Sequence, residues 1–332
     1  MTYMRLFCVR KCLVLIRKLS SLNTHRKKMT AINKVSMAPS GPVFSNLIQG
    51  YWRLAEWQMT PQQRLSFIKQ HLDMGITTVD HAPVYSAGAC ESLFGEALKL
   101  EPGLRDKLQI VSKCGIYPKD ATANDNCVSH YNSSKASIIA SVEASLTRLN
   151  VENLDVLLLH RPDFLMEADE VAEAFEQLKQ SGKVSHLGVS NFTPSQLALL
   201  QSRFGHALAT NQIEINPINF AVAEDGTLDQ LQQLRIRPMA WSCLAGGDIF
   251  NQPTEQANRL RQVLNELAEE LGAASIDQVI YAWVMRMPSN PVPIIGSGNI
   301  NRVATAVASL ELSLTSEQWY RVWVASKGYG VP

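Results

Sequence analysis

Eight short apolar runs, rich in β-branched residues and leucine, alternate along this chain with helix-length amphipathic segments, and the alternation restricts the fold more than any other feature. The runs cover 46–50, 77–80, 109–113, 155–160, 184–190, 208–213, 238–242 and 292–295. Between and after them, 60–74, 90–100, 134–149, 169–181, 194–204, 228–235, 255–271, 276–286 and 300–310 read as helices. Thr60 with Pro61 opens the first of these and Gly75 stops it. Strict alternation requires parallel strands joined by crossover helices, and eight such units closing on themselves make an α/β fold of the (β/α)8 TIM barrel type. The helix at 276–286 and one after Thr315 exceed eight, so extra C-terminal helices are expected. In the former, Ile276, Val279, Ile280, Trp283 and Val284 form an apolar stripe that reads as core packing.

The 332 residues are 46% hydrophobic, enough for one large barrel core. The formal charge of +1 conceals an asymmetry: eight of the 31 Lys and Arg residues fall within 1–28, which holds no acid. The remaining 23 basic residues face 30 acidic ones, roughly −7 for the body, which is the wrong sign for a nucleic-acid partner. The extension 1–28 reads as unstructured, with Met29 as an alternative start; a targeting peptide is the competing reading, without a small-residue cleavage pattern behind it. Six cysteines form no CxxC pair and no zinc-ligand spacing, which favours a reducing, cytoplasmic setting. No apolar run approaches the roughly 20 residues of a membrane span. The polar stretch 115–133 is longer than a connection needs and reads as a lid or recognition loop, or else as a disordered insertion.

Three consecutive strands end on ionisable residues: 77–80 on Asp80, with Tyr85 five residues on; 109–113 on Lys113; 155–160 on His160. In a barrel, strand C-termini share one mouth, so these four side chains are expected in one site. Tyr is a poor acid at neutral pH, with an ordinary pKa near 10, and a close ammonium stabilises the phenolate; a shift of about two units is worth roughly 2.7 kcal/mol. Asp80 would hold Lys113, and His160 would hydrogen-bond a substrate oxygen. Any one of these residues alone also fits a structural salt bridge or a satisfied core histidine.

Asp80 with Tyr85, the Ser-Lys113-Cys-Gly run and Leu-His160-Arg-Pro-Asp together resemble the tetrad of the aldo-keto reductases. The resemblance continues through Gly188-Val189-Ser190-Asn191-Phe192, Asn211-Gln212-Ile213-Glu214 and Ile295-Gly296-Ser297 to Arg302, with every motif in family order. Gly-Tyr-Trp-Arg-Leu after the first strand and Ala-Trp-Ser-Cys-Leu at the seventh look most like its bacterial oxidoreductase branch. It covers about 42–325, implying a single barrel domain there and a tail at 326–332.

The resemblance implies hydride transfer from NADPH to an aldehyde or ketone. Tyr85 would donate the proton, Lys113 lower its pKa, Asp80 support Lys113 and His160 orient the carbonyl. Ser190, Asn191 and Gln212 would hold the nicotinamide carboxamide and Trp241 stack on its ring, with Ser242 and Leu244 alongside. A core role for Trp241 and a helix cap at Ser190-Asn191 remain open. The turn Gly296-Ser297-Gly298-Asn299 would take the far phosphates at a helix N-terminus, and Arg302 would clamp a 2′-phosphate, favouring NADPH over NADH. Gly296 stands where many members carry Lys, and Thr305 where an acidic residue often meets adenine. Trp52 and Trp57 are expected to line a pocket for an apolar carbonyl compound. The implied partner is a small carbonyl substrate, with no metal and no obligate protein partner. Two rivals carry different expectations: a metal-dependent hydrolase liganded by Asp80, His81 and His160, and a non-catalytic subunit that senses nicotinamide nucleotides on the same scaffold.

Overall fold

The computed structural model describes residues 32–119 and 127–332; the expected extension 1–28 lies outside the described residues. Eight parallel strands close into a barrel: β1 (Ile48–Gly50), β2 (Thr78–Asp80), β3 (Gln109–Cys114), β4 (Leu154–Leu159), β5 (Val184–Ser190), β6 (Asn211–Glu214), β7 (Met239–Trp241) and β8 (Val292–Ile295). Each pairs with the next in sequence, and β8 returns to β1 with Ile294 opposite Ile48. Register brings the polar strand ends to one level: Gly50 faces Asp80, Asp80 faces Val111, Ser190 faces Gln212 and Glu214 faces Trp241.

The outer helices are α1 (Pro61–Asp73), α2 (Ala89–Leu100), α3 (Lys135–Leu149), α4 (Ala168–Gln180), α5 (Pro194–Gln201), α6 (Thr227–Leu234), α7 (Glu255–Leu271), α8 (Ile276–Met285), α9 (Ile300–Ala308) and α10 (Ser316–Lys327). A four-residue helix, Asp248–Asn251, precedes α7. Thr60 with Gln63, Thr193 with Gln196 and Thr315 with Gln318 form reciprocal capping boxes that fix where α1, α5 and α10 begin. Asn150 and Gly272, both left-handed, end α3 and α7.

The additional helices differ in identity from expectation. α8, expected as an extra, packs directly on β8 and is almost wholly buried, so it holds the regular position between β7 and β8. α7 and α10 are the extra pair, packed on each other and tied by Arg321 to Glu266 and Glu270. Trp319 of α10 stacks on buried Trp283 of α8 at 4.9 Å, and each indole N–H donates to the other's backbone carbonyl.

The barrel interior is filled by Phe44, Ile48, Val111, Val156, Leu158 and Met239 among others. Met37 and Phe44 come from an antiparallel hairpin, Lys34–Ser36 with Val43–Ser45, which the strand pattern did not reveal. Ser45 Oγ accepts from the backbone N–H groups of Thr77 and Thr78, and Arg237 N donates to Met37 O, so the hairpin plugs the N-terminal end of the barrel. The opposite end stays open. There the stretch expected as a lid or insertion begins and ends as a hairpin, Ile116–Tyr117 against His130–Tyr131; residues 120–126 lie outside the described residues. No helix among the described residues is long and apolar enough to cross a membrane.

Candidate active site

Lys113 is fully buried, and each of its three ammonium protons has an acceptor: Asp80 Oδ1 at 2.7 Å, His81 O at 2.8 Å and Tyr85 OH at 3.0 Å. Because the ammonium can only donate, the Tyr85 oxygen accepts, and the phenolic proton must point elsewhere. Gln212 Nε2 donates to the same Asp80 Oδ1 at 2.8 Å, so the carboxylate is held from two strands. Tyr85 reaches the lysine because the chain turns sharply after it: Ser86, Ala87 and Gly88 all have positive φ. Two non-glycine residues in that region are strained backbone held by their surroundings.

Burial, and secondly the Asp80 carboxylate, raises the pKa of Tyr85 well above its ordinary value. Asp80 sits on the same ammonium and offsets the downward pull expected of Lys113, leaving desolvation to set the direction. Burial lowers Lys113, against the pull of Asp80 and Glu91. His160 stands edge-on to Tyr85, with ring centroids 5.9 Å apart. Burial first, then the Lys113 and Arg161 cations, lowers its pKa to about 2, so the imidazole is neutral.

One cavity of about 1500 Å3 connects Asp80, Tyr85 and His160 with the residues expected around a nucleotide. Ser190 Oγ donates to Gln212 O, and Asn191 bridges Ser190 Oγ and Trp241 Nε1 with its side-chain amide. Asn191 and Ser242 have positive φ, which turns both side chains at the strand ends. Gln212 Nε2 donates to Asp80 Oδ1 and to Met239 Sδ, so what it offers a ligand is its carbonyl oxygen. Trp241, Ser242 and Leu244 line the middle of the cavity, and Gly296, Ser297, Gly298 and Arg302 its far end. Arg302 is exposed at the start of α9, and its guanidinium has no ion pair among the described residues. A cavity that runs from a tyrosine past an indole to a glycine turn, a helix N-terminus and an unpaired guanidinium fits an elongated dinucleotide.

Gln49, which the sequence did not single out, fastens the glycine turn: its Nε2 donates to Gly50 O, Ile295 O and Ser297 O. A Cβ on Gly298 would lie 2.3 Å from the Trp57 indole, whereas one on Gly296 would meet nothing within 4 Å. Trp57 thus packs on the turn, while Trp52 stands at the rim, 59% exposed, with the Arg53 guanidinium 5.0 Å from its ring centroid. Both tryptophans line the cavity, but at different parts of it. Arg161, directly after His160, also lines it and was quoted in the motif without a role.

Behind the site, buried Glu91 accepts from Ser112 Oγ, Ser145 Oγ and Arg148 Nε, joining α2, β3 and α3. His81 stacks on Tyr51 at 4.9 Å with both ring nitrogens buried and without a partner among the described residues. Among the described residues no group of three or more His, Cys, Asp or Glu is placed to hold a metal ion, and His81 turns into an aromatic pocket away from any such centre.

The aldo/keto reductase family model matches residues 46–325. Oxidoreductase YdhF of Escherichia coli K12 is 56% identical over 301 residues, covering 91% of this chain and 100% of that protein. The uncharacterized oxidoreductase YcsN of Bacillus subtilis 168 is 46% identical, covering 87% of this chain and 96% of its own length. The glycerol dehydrogenase AKR11B4 from Gluconobacter oxydans, 24% identical, has the same fold with a TM-score of 0.78 over 91% of this chain and 98% of its own. With a family match across nearly the whole barrel and a relative more than half identical end to end, this chain belongs to the aldo/keto reductase family, oxidoreductases that act on carbonyl compounds.

Proposed function

We propose that this chain reduces an aldehyde or ketone to the alcohol with NADPH, and that Tyr85 supplies the proton. The observation that carries the reading is the hydrogen-bonded chain from Asp80 through Lys113 to Tyr85, which opens on the cavity beside a neutral His160. Bound nicotinamide supplies the hydride, and the residues of the chain do the rest.

Tyr85, kept protonated by burial and Asp80, donates to the carbonyl oxygen as negative charge develops there. Lys113 follows by stabilising the oxygen that the proton leaves. His160, neutral, donates an N–H to the same carbonyl oxygen and fixes its direction. Ser190, Asn191, the free oxygen of Gln212 and the Trp241 face suit a carboxamide-bearing ring. The glycine turn at the start of α9 suits a pyrophosphate and the unpaired Arg302 a 2′-phosphate, which favours NADPH over NADH. The described cysteines, Cys90, Cys114, Cys127 and Cys243, are all free thiols, consistent with a cytoplasmic, reducing compartment.

Parallel fluorescence titrations with NADPH and NADH, followed by nicotinamide absorbance with a panel of aldehydes and ketones, test this. NADPH is expected to bind more tightly and to be oxidised. Tyr85→Phe should retain binding and lose turnover by roughly 100- to 10000-fold; Arg302→Ala should weaken NADPH far more than NADH. Nucleotide binding without oxidation of any carbonyl partner would replace this reading with a nucleotide-sensing role.

A further inference from the structure

Arg161 is a cation at the reacting end of the cavity that has no counter-ion among the described residues. It follows β4 and His160 directly, is half-buried, and lines the same cavity as Tyr85 and His160. Its charge reaches both of those side chains, opposing the net rise at Tyr85 and adding to the fall at His160. Among the described residues its guanidinium forms no side-chain hydrogen bond or ion pair and rests over the Trp241 ring, 5.6 Å from the centroid. The acids that line the cavity are engaged elsewhere or stand apart from it. Asp80 takes Lys113 and Gln212, Glu214 takes Asn216 and Asn219, Asp277 takes Ser275, and Asp248 takes Gln252 at the end of its own short helix. Glu56 is exposed on the turn after β1 and pairs with no arginine among the described residues.

A half-buried guanidinium without an acid gives up hydration for little return unless a ligand completes it. Its planar fork matches a carboxylate, and a cation resting on an indole face leaves that face at small cost. Arg161 also follows β4, outside the β5 to β8 arc that carries the nucleotide-facing residues. Arg53 adds a second positive charge at the rim, while Val84 and Ile116 supply apolar wall beside Tyr85.

We propose that the substrate is an oxo acid, an aldehyde or ketone with a short apolar body and a carboxylate, and that Arg161 holds the carboxylate while Tyr85 and His160 face the carbonyl. The proposal rests on the carbonyl-reductase reading and adds a charged end to the apolar carbonyl compound expected there. It departs from a generic aromatic pocket in requiring one particular charge.

The test uses the full chain with NADPH and matched pairs: a 2-oxo acid, a four-carbon semialdehyde acid and 4-carboxybenzaldehyde, each against its methyl ester. The wild type is expected to prefer at least one acid over its ester by about tenfold or more in kcat/KM, the size of one charge-assisted contact. Arg161→Met should abolish that preference and Arg161→Lys restore part of it, with NADPH affinity unchanged in both. A second arm needs no turnover: displacement of bound benzoate, against methyl benzoate, from the protein saturated with NADP+. If the wild type oxidises NADPH with no carbonyl compound, yet binds benzoate in an Arg161-dependent way, the reductase reading fails and the carboxylate site stands. An acid-to-ester ratio that survives Arg161→Met, or an Arg161→Met variant whose main defect is NADPH affinity, overturns the proposal.

Discussion

Tyr85 keeps its proton because an ammonium and a carboxylate stand behind it together. Lys113 alone would draw the phenol toward ionisation; with Asp80 2.7 Å away the pair is nearly neutral, and burial sets the direction. An acid held above its ordinary range is fully protonated across neutral pH. Carbonyl reduction is therefore expected to be flat from about pH 6 to 9 and to fall only above the ordinary tyrosine value near 10. Alcohol oxidation, which needs Tyr85 to accept a proton, should rise with pH over the same interval. His160, lowered to about 2, adds no acid limb near 6.5. A pH profile of kcat in both directions checks this, and a reduction limb centred near 6.5 that vanishes in His160→Gln would contradict it. Lys113→Met, which leaves Asp80 buried beside Tyr85, should cost roughly 100- to 10000-fold in turnover. The four residues were legible because three successive strands run into an ionisable residue that a parallel barrel has no packing reason to place there, and Tyr85 follows the first of them by five residues. The sign of the Tyr85 shift was not, since it depends on the distance of one carboxylate from one ammonium and on burial, which spacing does not encode.

Among the connecting elements, close approach decides what can change. Gly298 carries the Trp57 indole where a Cβ would stand, whereas Gly296, two residues earlier in the same turn, faces open space. Gly298→Ala is expected to displace Trp57 and cost about 1–3 kcal/mol, while Gly296→Ala should be near neutral; thermal midpoints with and without NADPH separate the two. Gly296→Lys should be tolerated and raise the NADPH to NADH affinity ratio by adding a cation to the turn. Behind the strands, Glu91 links the helix after Tyr85 to Ser112, the neighbour of Lys113, and to Arg148, whose side chain packs against Gly88. Removing one partner of such a buried group leaves the other unpaired, so Glu91→Gln is expected to destabilise by about 3 kcal/mol in urea unfolding. The long strands and capped helices were visible in the sequence because Thr-Pro openings and glycine stops punctuate a strong period. The N-terminal hairpin was not, because it stands outside the strand–helix alternation and what holds it is Ser45 bonding to the distant start of β2.

At the scale of the whole molecule the barrel is a neutral interior inside a body of net negative charge, and its histidines make that interior sensitive to acid. Burial lowers His71 to about 4, with its backbone bond to Ile76 opposing, and lowers His81 to about 3, with the Lys113 cation adding to the effect. His160 follows at about 2. In the unfolded chain all three take up protons near 6.5. Between 6.5 and about 4 the unfolded state therefore binds more protons than the folded one, so stability rises with pH there and is lost as pH falls below 6.5. Each histidine contributes about 1.4 kcal/mol per pH unit in that window. His81 isolates the effect, because its ring makes no hydrogen bond and lies between Tyr51 and Phe94, where a phenyl ring has the right shape. His81→Phe removes one titrating group and one buried unpaired N–H, while the backbone carbonyl that holds Lys113 is retained. The variant is expected to be about 1–3 kcal/mol more stable than wild type at pH 7.5, and by a wider margin at pH 5. Urea unfolding at the two pH values measures both terms, and an equal loss on acidification in wild type and variant would show that His81 does not carry its share of the acid sensitivity.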